Sequence, residues 1–421
     1  MLKKIKAFYN KENFNSSEGM VDPYKYHFTC YFILKFFQVL DNEPKLMWRY
    51  FFLIILAIIN FLGLFILGLT ASYGIKINDL TTIIEAGCYF IILLYQILMY
   101  LCTVINLPEY QVFLETLRED FKFICTDGEI YRARYFENQV KIWKMCILSV
   151  VFTSFIGIGV VYITVLWLLW YMVTHEPGDG TNPPLLFPFW FFDIDFGKSP
   201  QYELAFIFCN LCSLGYAYSY IFMIQTQIFW VGQITTKADL VIWYIQDLMD
   251  GAKSPRNKYD TEQFESQIKY RMSIIIREHQ SMYRLLENYT KVYKKLLMFE
   301  QKVGGIVVCL TAYCSAEKLK DGEINGITML LCGGTIIEVF IPSYLSTVMG
   351  MKLQSVGEAC LDIPFWDIGK IIRPYIILIM QRSLRPLQLN APGFEDVSVQ
   401  TFSNKMASAY SFFNMLRQTN I

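Results

Sequence analysis

The chain has 421 residues, of which 54% are hydrophobic, 17% aromatic and only 18% charged, and its formal net charge is zero. Soluble domains carry roughly a quarter charged residues, so the composition, with a mean hydropathy of +0.33, excludes an ordinary water-soluble fold. Without a basic excess, nothing points to a nucleic-acid partner.

The start, MLKKIKAFYNKENFNSSEGM, is polar and has no apolar core of the about 7–15 residues that a cleavable signal requires. Residues 28–40, FTCYFILKFFQVL, are amphipathic but too short to cross a bilayer, which reads as an interfacial or packed helix. A crossing helix takes about 20 residues. Residues 50–75, 145–174 and 204–236 contain no charge, and 81–107 contain only Glu85. Two weaker spans follow: 296–316, with Glu300 and Lys302 at one end, and 324–351, with Glu338 in the middle. The terminal stretch TFSNKMASAYSFFNMLRQTN, 401–420, makes a seventh. The expected fold class is therefore an all-α membrane protein with seven transmembrane helices.

Lys and Arg mark cytoplasmic loops. Residues 1–49 hold eight of them, 104–144 six and 237–295 eleven, whereas 71–80 and 175–200 hold one each. That bias places the N-terminus inside and the C-terminus outside, opposite to a G-protein-coupled receptor. None of the eleven Cys falls in the connection 175–203. The sequons at Asn15 and Asn288 both fall inside, so neither is expected to carry glycan. Catalysis finds no support: the three His (His27, His175, His279) are scattered without metal-ligand spacing, and neither a phosphate loop nor a GxSxG elbow occurs. No cofactor is expected.

The specific signal lies near the C-terminus. The stretch RPYIILIMQRSLRPLQLNAPGFEDVSVQTFSNKMASAYSFFNMLRQ, 373–418, closely resembles the last region of insect odorant receptors, with a basic amphipathic helix, an "RPL.L.A.GF" link and a closing AYSFFNMLR that is similar to the family's "SYSFF..LR". Weaker echoes are LLFPFWFFDIDFGKSPQYE (185–203), EHQSMYRLLENY (278–289) and EVFIPSYLSTVM (338–349), so the likeness covers nearly the whole chain in order. The gustatory branch would end in a "TY......QF" pattern, which this chain lacks.

The resemblance implies a tuning subunit that forms, with an obligate co-receptor, a heterotetrameric, ligand-gated, non-selective cation channel opened by a small hydrophobic odorant. It implies residence among lipid in the plasma membrane, as a multi-pass protein of olfactory sensory neuron dendrites. A gustatory-type channel of the same superfamily, or a small-molecule transporter, remains the alternative at this stage. The implied divisions are 1–47, a cytoplasmic N-terminal segment; 48–236, spans one to four; 237–295, a cytoplasmic loop in a helical anchor; 296–351, spans five and six; 352–392, a cytoplasmic anchor helix; and 393–421, a pore-lining helix. Lys370, Arg373, Arg382 and Arg385 suit an inside-facing helix at about 367–390, and Pro386 and Pro392 break the chain before the pore helix at about 393–420.

Along that last helix, Asn404, Ser408, Ser411, Met415 and Gln418 or Thr419 recur on one face at 3.6 residues per turn. Such a stripe can line a wet path, with an apolar constriction at Met415 closing it by dewetting. Small polar residues also promote close helix packing, and from the residues alone that reading competes with pore lining. The resemblance places the odorant in the outer half of the bundle. Its candidate lining is Glu85, Cys88, Tyr89, Val161, Tyr162, Trp167, Phe206, Asn210, Ser213, Thr328, Leu331, Cys332 and Thr335. The segment FPFWFFD, 187–193, is expected as a hydrophobic lid or interfacial belt. Glu338, mid-span, should face the protein interior with a partner or be protonated.

Overall fold

In hydrocarbon every backbone N–H and C=O must be bonded within its own segment, so long apolar stretches fold as helices. The computed structural model describes residues 2–12, 14–15, 17, 19–37, 39, 47–175, 182–192, 194–250, 258–320, 326–385 and 396–419. Its helices are α1 (Leu2–Tyr9), α2 (Pro23–Tyr26), α3 (Phe28–Phe36), α4 (Met47–Ile77), α5 (Leu80–Ile105), α6 (Leu107–Thr126) and α7 (Glu129–Thr174). They continue with α8 (Gln201–Gln246), α9 (Lys258–Lys320), α10 (Gly326–Ala359), α11 (Phe365–Ser383) and α12 (Val399–Thr419).

Among the described residues six helices, α4, α5, α7, α8, α9 and α10, are long and apolar enough to cross a membrane, and the chain is a multi-pass membrane protein. The expected seventh crossing, α12, is not among these six. Its 21 residues match the roughly 30 Å hydrocarbon layer at about 1.5 Å per residue, but its polar stripe lowers its hydropathy. Whether it crosses therefore depends on what the stripe faces.

Helices α8 and α9, of 46 and 63 residues, are roughly 70 and 95 Å long. Their excess over the bilayer runs into one end of the molecule, where α1–α3, α6 and α11 gather around it. This anchor end has its own core, in which Phe121, Trp230, Tyr289 and Tyr293 are almost completely buried. Helix α11 docks there through Ile368, Ile372, Ile376 and Ile379, a stripe at helical spacing. Pro386 and Pro392, which were to separate α11 from α12, lie outside the described residues.

The anchor core also contains paired polar groups. Gln139 and Gln233 exchange two amide hydrogen bonds of 2.9 Å each between α7 and α8. His27 approaches Gln139 Oε1 at 2.8 Å, and burial lowers its pKa to about 3, so the ring is neutral. Lys237, 2% exposed, reaches Asp120 on α6 at 2.8 Å and Glu278 on α9 at 3.0 Å. Burial works against the Lys237 charge, but the two carboxylates outweigh it and raise its pKa. Burial pushes Asp120 up to about 6 against the attraction of Lys237, so the group is ionised at neutral pH.

At the opposite end a short loop of two residues, Asn78 and Asp79, joins α4 to α5. Asp79 caps α5 by accepting from the backbone of Thr81 and Thr82 and from the Thr82 hydroxyl at 2.6 Å. Helices α7 and α8 pack closely: a Cβ at Gly157 would lie 2.8 Å from Ala217 Cβ, and one at Gly232 would lie 2.6 Å from Ile142. Small residues at such crossings let backbones approach without a side chain between them.

Candidate ligand cavity and terminal helix

Between α5, α7, α8 and α10 lies a cavity of about 130 Å³. It is walled by residues at helical spacing: Tyr89, Ile92 and Leu93; Thr153, Ile156, Gly157 and Val160; Ser213, Tyr216, Ala217 and Tyr220; and Leu331, Thr335, Glu338 and Ile341. An apolar protein cavity of roughly 150 Å³ accepts benzene, so this one suits a molecule of about one ring. The wall is mostly hydrocarbon with a few hydroxyls, the usual character of a small-molecule site.

Glu338 meets its expectation. It faces inward, and the Tyr216 hydroxyl donates to its Oε1 at 2.5 Å. On α9, Glu300 accepts from the Tyr95 hydroxyl at 2.8 Å. A compartment of about 30 Å³ separates the two carboxylates and shares Ile92, Tyr216, Thr335 and Glu338 with the larger cavity.

The short-loop end of the cavity is closed by the connection before α8. Leu186 and Phe187 are buried there, with the Phe187 ring 4.7 Å from that of Tyr89. The loop is pinned: Trp190 stacks on Tyr73 at 4.3 Å and its backbone N–H donates to Thr70 Oγ1 at 2.9 Å. Asp193, the last residue of the expected lid, lies outside the described residues. Beyond Leu186 and Phe187 sits a vestibule of about 200 Å³, lined by Glu85, Trp167 and Lys318 among others. Glu85 is ion-paired with Lys318.

Of the sequence-derived candidates, the cavity wall includes Tyr89, Ser213, Leu331 and Thr335, and the vestibule includes Glu85, Tyr89 and Trp167. The others are placed elsewhere. Cys88 sits with Tyr313 and Cys314 against α12. Tyr162 is 62% exposed. Asn210 accepts from Thr164 at 3.0 Å and donates to the Phe206 carbonyl at 2.9 Å. Thr328 bonds Ser315 at 3.0 Å, and Cys332 turns toward the Val308 carbonyl. Val161 and Phe206 are half-buried without reaching the cavity. Two causes act: Cys88, Thr328 and Cys332 adjoin the wall residues Tyr89, Ile327 and Leu331 but face α9 instead, and for the rest the cause is depth. The observed wall is centred about four to eight residues further from the short-loop end than the sequence estimate, which is roughly 6–12 Å along a helix. Sequence reasoning missed Tyr216 and Tyr220 as lining residues, although their spacing from Ser213 put all three on one helix face.

On α12, Asn404, Ser408, Ser411, Met415 and Gln418 are all exposed. The Ser408 and Ser411 hydroxyls donate to the carbonyls of Asn404 and Ala407 on their own helix. The Thr419 side chain lies outside the described residues. The opposite face holds Ala409, Phe413 and Leu416, and the last two pack against Ile84, Cys88, Tyr313 and Cys314. The stripe is therefore on the side that α9 and α10 leave uncovered. Gln301 on α9 links the two regions: its Nε2 donates to Ser343 Oγ at 2.9 Å and to the Val339 carbonyl at 3.3 Å, while its Oε1 accepts from Lys405 of α12 at 3.2 Å.

A groove of about 300 Å³ between α9 and α12 is larger than the cavity, but it is open on one side and bordered by Lys302 and Lys405. Enclosure favours the smaller space as a small-molecule site. Among the described residues no cluster of three or more His, Cys, Asp or Glu could hold a metal.

Comparison with known proteins agrees with this architecture. The family model described as 7tm odorant receptor matches residues 79–410. Odorant receptor 49a of Drosophila melanogaster is 23% identical over 191 residues, 45% of this chain and 46% of that protein. Odorant receptor 10 of Aedes albopictus is 20% identical over 229 residues, 53% of this chain and 58% of that protein. The chain thus spans about half the length of these curated relatives. The structure of the olfactory receptor OR5 from Machilis hrabei in complex with eugenol superposes over 94% of this chain and all of that one, with a TM-score of 0.72 at 13% identity. The same receptor's other structure gives 0.68. At that identity the likeness concerns the fold.

Proposed function

Since this chain belongs to the insect odorant receptor family, we propose that it is a tuning subunit of a ligand-gated, non-selective cation channel assembled as a heterotetramer with an obligate co-receptor. Its N-terminus is cytoplasmic, α12 is the seventh crossing, and the complex works in the plasma membrane of olfactory sensory dendrites. A small hydrophobic odorant occupies the cavity between α5, α7, α8 and α10. The observation that carries this reading is the one-ring cavity whose wall residue Glu338 is the immediate neighbour of Val339, the carbonyl held by Gln301.

Opening follows from that adjacency. A ligand against Thr335 and Glu338 bears on α10, and α10 bears on Gln301 through Val339 and Ser343. Gln301 holds Lys405 of α12, whose uncovered stripe of Asn404, Ser408, Ser411, Met415 and Gln418 borders the conduction path, with Thr419 assigned to the same path from its place in the sequence. A ligand shifts such an equilibrium by its differential affinity for the two states. Without a ring of carboxylates in the stripe, strong selection among cations is not expected.

The test is co-expression with a co-receptor in cells that lack G-protein signalling. Currents within milliseconds of odorant, dependent on the co-receptor, are expected; responses that require G proteins, or flux that follows a substrate gradient, would contradict the reading. Within that assay, Gln301→Leu is expected to reduce the maximal current about five- to tenfold, within the range of ordinary coupling energies, with little change in the ligand concentration at half-saturation of binding. Equal loss of binding and current would instead mark Gln301 as part of the ligand site.

A further inference from the structure

Glu300 and Glu338 lie inside helices that cross the bilayer, where ionisable side chains normally pair with a charge of opposite sign. Their partners here are tyrosine hydroxyls, Tyr95 for Glu300 and Tyr216 for Glu338. Glu300 is 5% exposed, and its Oε1 has no hydrogen-bond partner among the described residues. A buried carboxylate oxygen left in that state calls for an explanation. Both carboxylates border the 30 Å³ compartment, which exceeds the minimum of about 10–15 Å³ that a water-sized group occupies. The compartment adjoins the 130 Å³ cavity, and Ile92, Tyr216, Thr335 and Glu338 line both.

We propose that the two spaces form one site for a small primary amine, with its hydrocarbon body in the larger cavity and its ammonium group between Glu338 and Glu300. An ammonium carries three donors and no acceptor, which complements two carboxylates whose tyrosine partners use only part of their accepting capacity. A neutral alcohol or ketone of the same shape supplies no charge to the pair. This inference rests on the cavity being the ligand site, and it names the ligand class that the site takes.

The experiment compares one-ring and short linear primary amines with alcohols and hydrocarbons of matched shape, for example phenethylamine, 2-phenylethanol and ethylbenzene, on channels formed with the co-receptor. Amines are expected to act at concentrations at least about tenfold lower than the alcohols. Glu300→Gln and Glu338→Gln, which keep shape and an acceptor for each tyrosine, should each raise the half-maximal amine concentration about 10- to 100-fold more than that of the matched alcohol, the usual weight of a charge-assisted hydrogen bond. If no amine in the panel activates or blocks the channel, or if amines and alcohols are equally potent, the inference is overturned without any variant. Gln variants that shift amine and alcohol alike overturn it too, because that is the signature of a structural hydrogen bond. A Ser213→Phe variant, which fills the larger cavity, separates the two levels. If it abolishes all responses while amines hold no advantage, only the amine assignment fails; if it spares them, the cavity reading fails as well.

Discussion

Ser213→Phe is expected to abolish odorant-evoked current, or to raise the half-maximal concentration by at least about 100-fold, with surface expression close to that of the native chain. Ser213 stands on α8 at the wall of a cavity of only about 130 Å³. A benzyl group placed there takes up much of the space that a one-ring ligand needs. Filling an existing void strains the fold less than overpacking a dense core, which costs about 1–3 kcal/mol. The discrimination available to an apolar pocket from a single methylene is already about 10- to 200-fold, and a whole ring exceeds that. The comparison is Leu211→Phe, two residues away on the same helix, where the side chain is 43% exposed and outside the wall. That variant should respond like the native chain.

The second large effect concerns the anchor end. Lys237→Met should destabilise the folded subunit by about 3–5 kcal/mol, the range for breaking a buried ion pair by removing one partner. Lys237 is the buried cation between Asp120 and Glu278. Glu278 keeps Arg277 at 3.1 Å, so the larger penalty falls on Asp120, whose carboxylate loses its Lys237 bond in a core contributed by α6, α8 and α9. Replacing a whole buried charge cluster by apolar groups is often neutral or stabilising. The triple variant Lys237→Met, Asp120→Leu, Glu278→Met should therefore recover much of the loss, seen as thermal stability of the detergent-extracted protein. No recovery would mean that Lys237 acts through some other contact.

Six membrane helices were legible as elements, because uncharged runs of sufficient length have few other uses, but their bounds were not: α7, α8 and α9 run well past those runs into the anchor end. The stripe on α12 was legible for a similar reason: residues spaced at one helical period share a face, and the face opposite, with Phe413 and Leu416, finds α5 and α9. Glu338 could be read as inward-facing from cost alone. The depth of the cavity could not be read. It is set by the close approach of α7 and α8 at Gly157 and Ala217, and by how far Leu186 and Phe187 insert from the loop, both of which are tertiary facts. The Glu300 environment was hidden for the same reason. Its tyrosine partner is 205 residues away in sequence, and by spacing alone Glu300 looked like the polar edge of a span. Likewise, Lys237 reads as the first charge after an apolar run, and only packing makes it the centre of a triad.

The most direct measurement is ligand protection of a single cysteine in the cavity. In a Cys212→Ala background, Thr335→Cys places a thiol on the α10 wall, and a small membrane-permeant thiol reagent should modify it and suppress the odorant-evoked current. Saturating agonist, chosen as the most potent in a volatile panel, is predicted to slow that modification at least about tenfold, as full occupancy of a site this small leaves no room for the reagent. Modification at the same rate with and without agonist, in a channel that still opens to it, would contradict the placement of the ligand between α5, α7, α8 and α10.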